Sequence, residues 1–360
     1  MEGDLIHINH WLKPVAWLYG LGVQLRNKCF DVGLFQQVSF EVPVICIGNI
    51  TVGGTGKTPH TEMLLKMLMK QFRMAVLSRG YKRKSKGFQL ATAQSTMRDI
   101  GDEPWQMKKK FPKAIVAVDA NRRRGIRRLL SGEVEPRPEV ILLDDAFQHR
   151  YVKPCLNILL TDYHRLVTDD DLLPAGRLRE PVSAKERAHI VVVTKCPATL
   201  KPMEYRVLQE ALDLRPFQKL FFSTFRYGKL KRLFSEKGVP AEELTADSHV
   251  LLLTGIASPV QMLMDLRHFT RHITPLSFAD HHEFTSTDIE KIEKAFTAMQ
   301  GNKRLIITTE KDAARLLLVQ ELSTIVRHHI FVLPIEVEIL RGQDEEFRQA
   351  ILEAITTPSE

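Results

Sequence analysis

An apolar run at residues 42–47 leads through Gly48-Asn49-Ile50 into Thr51-Val52-Gly53-Gly54-Thr55-Gly56-Lys57-Thr58, and a helix-patterned stretch follows over residues 57–70. A buried strand, a tight glycine turn and a helix in that order restrict the chain to a small group of α/β arrangements. Gly53, Gly54 and Gly56 permit backbone conformations and close approach that a Cβ would block. Successive N–H groups across residues 51–58 can then line a concavity, closed by the positive end of the following helix. Such a P-loop cradles a phosphate chain, with Lys57 reaching the β and γ phosphates and the Thr58 hydroxyl set for Mg²⁺. The usual spacing has glycine where this chain has Thr51, so the cradle is a variant of the pattern.

Val140-Ile141-Leu142-Leu143 ends in two carboxylates, Asp144 and Asp145. An apolar strand ending this way delivers acids to the carboxyl edge of the sheet, where open α/β sheets bind ligands. One acid can face a metal or its water shell and the other the reacting groups; Asp144 is assigned to the metal and Asp145 to catalysis. Gly101-Asp102-Glu103-Pro104 supplies two more acids at a loop-to-helix boundary, where Asp102 is either a helix cap or a base for an acceptor hydroxyl. Glu103 is a further oxygen donor for the metal. Asp280-His281-His282 sets a carboxylate beside imidazoles, but adjacent residues do not converge on one ion and no third ligand stands at useful spacing. Thr194-Lys195-Cys196-Pro197 is similar to the base-reading loops of GTPases yet lacks their Asn and Asp, so guanine specificity is unsupported.

Short, unalternated Val/Ile/Leu runs recur at residues 42–47, 74–77, 115–118, 140–143, 156–160 and 190–193, with helical stretches between them. That alternation predicts a P-loop NTPase-like, mostly parallel sheet flanked by helices. A second block, with strands expected at 250–253, 273–276, 305–308 and 330–333, reads as a smaller α/β domain. The boundary is placed at residues 224/225: 1–224 as the nucleotide-binding domain, 225–360 as the smaller one.

Between Arg73 and Arg128 stand 16 Lys and Arg against 4 Asp and Glu, a local balance of +12 in a chain of net charge +8. Such a field attracts phosphates, anionic lipid or nucleic acid; nucleic acid is set aside because no aromatic stacking platform interleaves the cations. Cys29, Cys46, Cys155 and Cys196 form no C-x-x-C pair, which argues against a disulfide framework or structural zinc and fits a reducing cytosol. The acidic start at Glu2 and Asp4 does not read as a signal peptide. No apolar run approaches the ~18 residues that would span a bilayer. His10 to Leu21 holds two of the three tryptophans and is apolar nearly all round, with Pro14 suited to a first helical turn. It reads either as an interfacial helix in a headgroup layer or as a helix packed on the core.

Taken in order, residues 48–59, Ser78-Arg79-Gly80-Tyr81, Gly101-Asp102-Glu103-Pro104, Asp144-Asp145-Ala146-Phe147-Gln148-His149, residues 173–181, Asp280-His281 and Thr308-Thr309-Glu310-Lys311-Asp312-Ala313 resemble the tetraacyldisaccharide 4′-kinases, the lipid A 4′-kinases of Gram-negative bacteria. The resemblance covers about residues 10–335. It implies ATP and Mg²⁺ as cofactors, a lipid A disaccharide 1-phosphate as acceptor, lipid IVA as product, and no protein partner. It also implies a smaller C-terminal domain joined by a short β linker, and peripheral attachment to the cytoplasmic face of the inner membrane. It makes Asp102 the base for the sugar hydroxyl with His281 supporting it. Arg79, Arg177 and Arg179 are the expected cations for the substrate phosphate. Ala146 stands where many members have glycine, a small-for-small change.

Overall fold

The computed structural model describes residues 8–234, 243–256, 259–280, 282–319 and 321–356. Its strands are β1 (Val44–Gly48), β2 (Met74–Ser78), β3 (Gln89–Leu90), β4 (Ile115–Val118), β5 (Val140–Asp144), β6 (Leu156–Asp162), β7 (Ile190–Thr194), β8 (Lys219–Tyr227), β9 (Lys231–Arg232), β10 (Ser248–Thr254), β11 (Ile273–Ser277), β12 (Lys303–Thr309), β13 (Ile330–Leu333) and β14 (Ile335–Ile339). The α-helices are α1 (Lys13–Asp31), α2 (Lys57–Leu68), α3 (Met97–Ile100), α4 (Asp102–Lys110), α5 (Arg122–Leu130), α6 (Pro202–Leu212), α7 (Val260–Leu266), α8 (Ser286–Ala298), α9 (Glu310–Leu316), α10 (Thr324–His329) and α11 (Asp344–Thr356).

The first unit, residues 1–225 together with 337–360, is built on a sheet of order β14-β8-β7-β6-β1-β5-β2-β4-β3. From β8 to β4 the pairings are parallel, and β3 adds an antiparallel edge. Helices cover both faces, which is why the strands read as unbroken apolar runs. Ile45 and Ile47 face one core with Leu64, Leu65 and Leu68 of α2 and Met107 of α4. Val44 and Cys46 face the other, with Ile126 and Leu129 of α5. With β1 at the centre and its loop leading directly into α2, the glycine turn is held at the carboxyl edge of a rigid sheet.

The second unit, residues 226–336, carries a sheet of order β11-β10-β12-β13-β9, parallel except for the β9 edge. Leu251, Leu253 and Ile306 pack against Ile289, Ile292 and Phe296 of α8 on one face. Val250, Leu252 and Ile307 pack against Met262 and Leu266 of α7 on the other.

The boundary at 224/225 needs one correction: residues 337–360 belong with the first unit. The cause is α11, whose Phe347, Ala350, Ile351 and Ile355 recur at helical spacing and are buried in the first core. Phe347 meets Phe221 edge-to-face at 5.0 Å, and each ring contributes on the order of 2–3 kcal/mol by leaving water.

Pro14 does occupy the first turn of α1. The helix docks through small residues: Ala16 is buried, and a Cβ on Gly20 would collide with Leu172. Arg26 Nη2 donates to the Gln148 carbonyl at 2.9 Å and Tyr19 Oη to the Arg179 carbonyl at 2.8 Å, which strap α1 to the site loops. Trp11, Val15, Leu18 and Leu25 follow one stripe and stay exposed, at 93%, 51%, 62% and 67%. The core-packed reading therefore describes one face of this segment, and the opposite face is exposed. Among the described residues no helix is long and apolar enough to cross a membrane. All four cysteines are free.

Candidate phosphoryl-transfer site

Thr51 to Thr58 form the turn between β1 and α2. Gly56 is the N-cap of α2 with φ +82°, and a Cβ there would press on Phe225 as well as strain the backbone. Val52, Gly53 and Gly54 are exposed, and Thr55 is buried. Thr55 Oγ1 accepts from Asn49 Nδ2 at 2.7 Å, its carbonyl accepts from Thr194 Oγ1 at 3.0 Å, and the Gly56 carbonyl lies 2.7 Å from His60 Nδ1. Lys57 extends along the loop, its Nζ 3.5 Å from Asn49 Oδ1 and 3.8 Å from Asp145 Oδ1.

The loop over residues 173–181 runs antiparallel beside this turn. Val52 N donates to the Arg177 carbonyl at 2.7 Å, Arg179 N to the Ile50 carbonyl at 2.7 Å, and Thr51 bridges Leu178. Gly176 lets the loop fold back, since a Cβ would overlap the Asp171 carbonyl. The Arg177 side chain stays exposed. Arg179 turns inward: its Nη2 reaches Asp145 Oδ1 at 2.9 Å, the Asn49 carbonyl at 3.0 Å and also Asn49 Oδ1.

Asp144 and Asp145 are separated by their surroundings. Asp144 is buried and accepts from Thr61 Oγ1 at 3.1 Å, one helical turn beyond Thr58. Burial, then the charges of Glu103 and Asp145, push its carboxyl up to about 7, against the opposing pull of Lys57 and Thr61. Asp145 sits at φ +46°. Desolvation alone would raise it, but Lys57 and then Arg179 outweigh that and hold its carboxyl below the usual range. The site therefore holds one ionised acid paired to cations beside one acid short of positive charge.

That shortage is where a divalent cation fits. Asp144, Glu103 and the Thr58 hydroxyl offer only hard oxygen donors, the type Mg²⁺ takes. Among the described residues no cluster of three or more His, Cys, Asp or Glu could enclose an ion. Mg²⁺ needs none, because phosphates and waters commonly fill most of its shell.

Asp102 and Glu103 open α4, and the cap is Gly101 at φ +90°, so Asp102 is not the N-cap. Gly101 packs against Gly80 and Tyr81, which brings the Arg79 loop alongside the α4 start. Arg79 is exposed. It contributes to a convergence of positive charge on His149: burial, then Arg122, Arg26, Arg123 and Arg79, lower that imidazole to about 4. Arg122 is buried, donates to the Ala120 carbonyl at 3.2 Å, and has its Nε without a hydrogen-bond partner among the described residues.

Asp280 and His282 lie in the second unit, where Asp280 pairs with Lys311 at 3.4 Å. His282 Nε2 sits 2.8 Å from Asp288, the acid of the α8 capping box, which gives it a structural task. His281 lies outside the described residues, and its role rests on the resemblance alone.

Sequence reasoning did not single out Asn49, His60, Thr61, Arg122 or Ser223. Thr194 was noticed for its likeness to a base-reading loop, whereas the structure puts its hydroxyl on the P-loop backbone.

Comparison with known proteins identifies the family. The family model described as tetraacyldisaccharide-1-P 4′-kinase matches residues 8–356. A tetraacyldisaccharide 4′-kinase from Phocaeicola vulgatus is 54% identical over 356 residues, covering 99% of this chain and 97% of the relative. One from Bacteroides fragilis is 55% identical, covering 98% and 94%. A crystal structure of LpxK from Aquifex aeolicus in complex with ATP superposes with a TM-score of 0.73 at 28% identity, covering 96% of this chain and 99% of that one. The chain belongs to the tetraacyldisaccharide-1-P 4′-kinase family.

Proposed function

We propose that this protein transfers the γ-phosphoryl group of ATP to the 4′-hydroxyl of a tetraacylated glucosamine disaccharide 1-phosphate, forming lipid IVA. One observation carries the reading: the glycine turn and the two acids meet at one sheet edge, with Lys57 Nζ 3.8 Å from Asp145 and Thr61 tied to Asp144. Family membership supports the acceptor and the ATP-bound relative supports the nucleotide.

On this reading the N–H groups of residues 51–58 and the α2 N-terminus hold the phosphate chain, and Lys57 leaves Asp145 for the β and γ oxygens. Thr58, Asp144 and Glu103 hold Mg²⁺, which when bound supplies charge neutralisation at the transferring group. Asp145 keeps Arg179 aimed at the loop and holds Lys57 there until nucleotide binds. Asp102 accepts the proton of the acceptor hydroxyl. Arg79 and Arg177 attract the acceptor's 1-phosphate, within the basic field that Arg26, Arg122 and Arg123 extend. Phosphoryl transfer asks mainly for positioning and charge stabilisation, and these residue types supply both. The exposed stripe of α1 rests in the headgroup layer, which makes the enzyme peripheral to the cytoplasmic face of the inner membrane.

The test is incubation of the purified protein with ATP or GTP and the disaccharide 1-phosphate, followed by mass spectrometry of the lipid. Gain of one phosphate at the 4′ position, with ATP preferred, is expected. Nucleotide hydrolysis without lipid phosphorylation would overturn the assignment.

A further inference from the structure

The phosphate turn is held from behind by two side chains, Thr194 and His60. Thr194, at the end of β7, is fully buried, and its Oγ1 lies 3.0 Å from the Thr55 carbonyl and 3.2 Å from the Thr161 carbonyl. His60, in the first turn of α2, is 1% exposed. Its Nδ1 lies 2.7 Å from the Gly56 carbonyl, adding a second donor to the one that carbonyl already has in His60 N at 3.2 Å, and its Nε2 lies 2.9 Å from Ser223 Oγ on β8. A carbonyl can only accept, so Nδ1 carries the proton and Nε2 accepts from the Ser223 hydroxyl.

In a trans peptide the C=O of one residue and the N–H of the next point in opposite directions. Holding the Thr55 carbonyl toward β7 therefore turns the Gly56 N–H away from the sheet. Holding the Gly56 carbonyl toward His60 does the same for the Lys57 N–H. These two amides flank the left-handed Gly56, the point of the turn where the backbone has most freedom. We propose that Thr194 and His60 are positioning residues for the triphosphate: by fixing two carbonyls they aim the Gly56 and Lys57 amides into the phosphate concavity before nucleotide arrives. This rests on the reading of the turn as an ATP site. Preorganised donors cost no rearrangement on binding, so their loss appears as weaker nucleotide affinity.

The experiment uses the full-length protein, with ATP as titrant in calorimetry and steady-state kinetics alongside. Thr194→Val and His60→Leu each remove a tether. Thr194→Ser keeps the hydroxyl, and His60→Asn keeps a donor nitrogen near the Nδ1 position. Each removal is expected to raise the Kd and KM for ATP about 5- to 10-fold, the effect of one hydrogen bond, with the KM for the lipid acceptor unchanged. The Ser and Asn variants are expected to stay within about twofold of the parent. A general packing defect would instead lower the unfolding temperature and shift both KM values together. Removal variants that fold and bind ATP like the parent overturn the proposal. If a removal variant does not fold, the paired conservative variant decides, and tenfold weaker ATP binding by folded Thr194→Ser or His60→Asn also overturns it. A parent protein that binds no ATP refutes the nucleotide-site reading itself, a result distinct from all of these.

Discussion

Arg179 and Asp145 face one another across the mouth of the phosphate turn, Nη2 to Oδ1 at 2.9 Å, with the same guanidinium on the Asn49 carbonyl at 3.0 Å. One planar fork thus ties the acid after β5 to the residue that follows β1. A single ammonium cannot span both partners with the same geometry. Arg179→Lys should therefore lose turnover nearly as fully as Arg179→Ala, each by about 100-fold or more, the scale seen when one charge-stabilising donor is removed. Initial rates of lipid phosphorylation at saturating ATP check this, and a Lys variant near parental rate would contradict it.

Asp102 opens the first turn of α4, whose N-cap is Gly101. Its removal should spare the helix. Asp102→Asn is expected to reduce kcat by about 100-fold or more with the unfolding temperature within a few degrees of the parent. Calorimetric unfolding and single-turnover rates report the two quantities separately. A large drop in stability, or a parental kcat, would remove the residue from the reaction.

How much of this was legible before folding depended on the distance between the parts. Lys57, Thr58 and the three glycines signal themselves because strand, turn and helix are contiguous, and the paired acids mark the end of an apolar run. The tethers are different. Thr194 touches Thr55 across 139 residues and His60 touches Ser223 across 163, and neither residue type is unusual where it stands. Strand cores were readable from their Val/Ile/Leu content. The outer elements were less so: the expected break inside β8 falls within one residue of the structural one, whereas α11 was assigned to the wrong unit. Periodicity shows that an element has an apolar face and does not say which core receives it.

His149 gives a pH prediction. Burial and four arginines keep its imidazole neutral down to about pH 4. Between pH 4 and the ordinary value near 6.5, the unfolded chain binds a proton that the folded chain refuses. Stability from this group is therefore complete above about pH 6.5 and falls as pH drops toward 4. The loss grows as pH falls through that window and levels off below about pH 4, where both states carry the proton. His60, also lowered to about 4, acts in the same direction. Denaturant unfolding at pH 7 and pH 4.5 should show the decline, and His149→Phe should make it shallower. An unchanged pH slope in that variant would contradict the account.

The exposed stripe of α1 predicts surface binding. Replacing Leu18 and Leu25 by Glu, at positions 62% and 67% exposed, adds charge where no core packing is lost. Each leucine seated in the acyl boundary contributes on the order of 1.5–3 kcal/mol, so the pair should weaken vesicle association by at least tenfold. Sedimentation with anionic phospholipid vesicles measures this. Equal binding by Leu18→Glu/Leu25→Glu and the parent would place the membrane contact elsewhere.

The central claim is that the glycine turn of residues 51–58 and the Asp144-Asp145 edge form one phosphoryl-transfer site for the acylated disaccharide. Its most direct measurement is transfer of label from γ-labelled ATP to tetraacyldisaccharide 1-phosphate by the parent protein and by Lys57→Ala. Transfer by the parent, reduced by about 1,000-fold or more in a folded Lys57→Ala protein, is the expected result. Transfer at comparable rates by both proteins, or by neither, would contradict it.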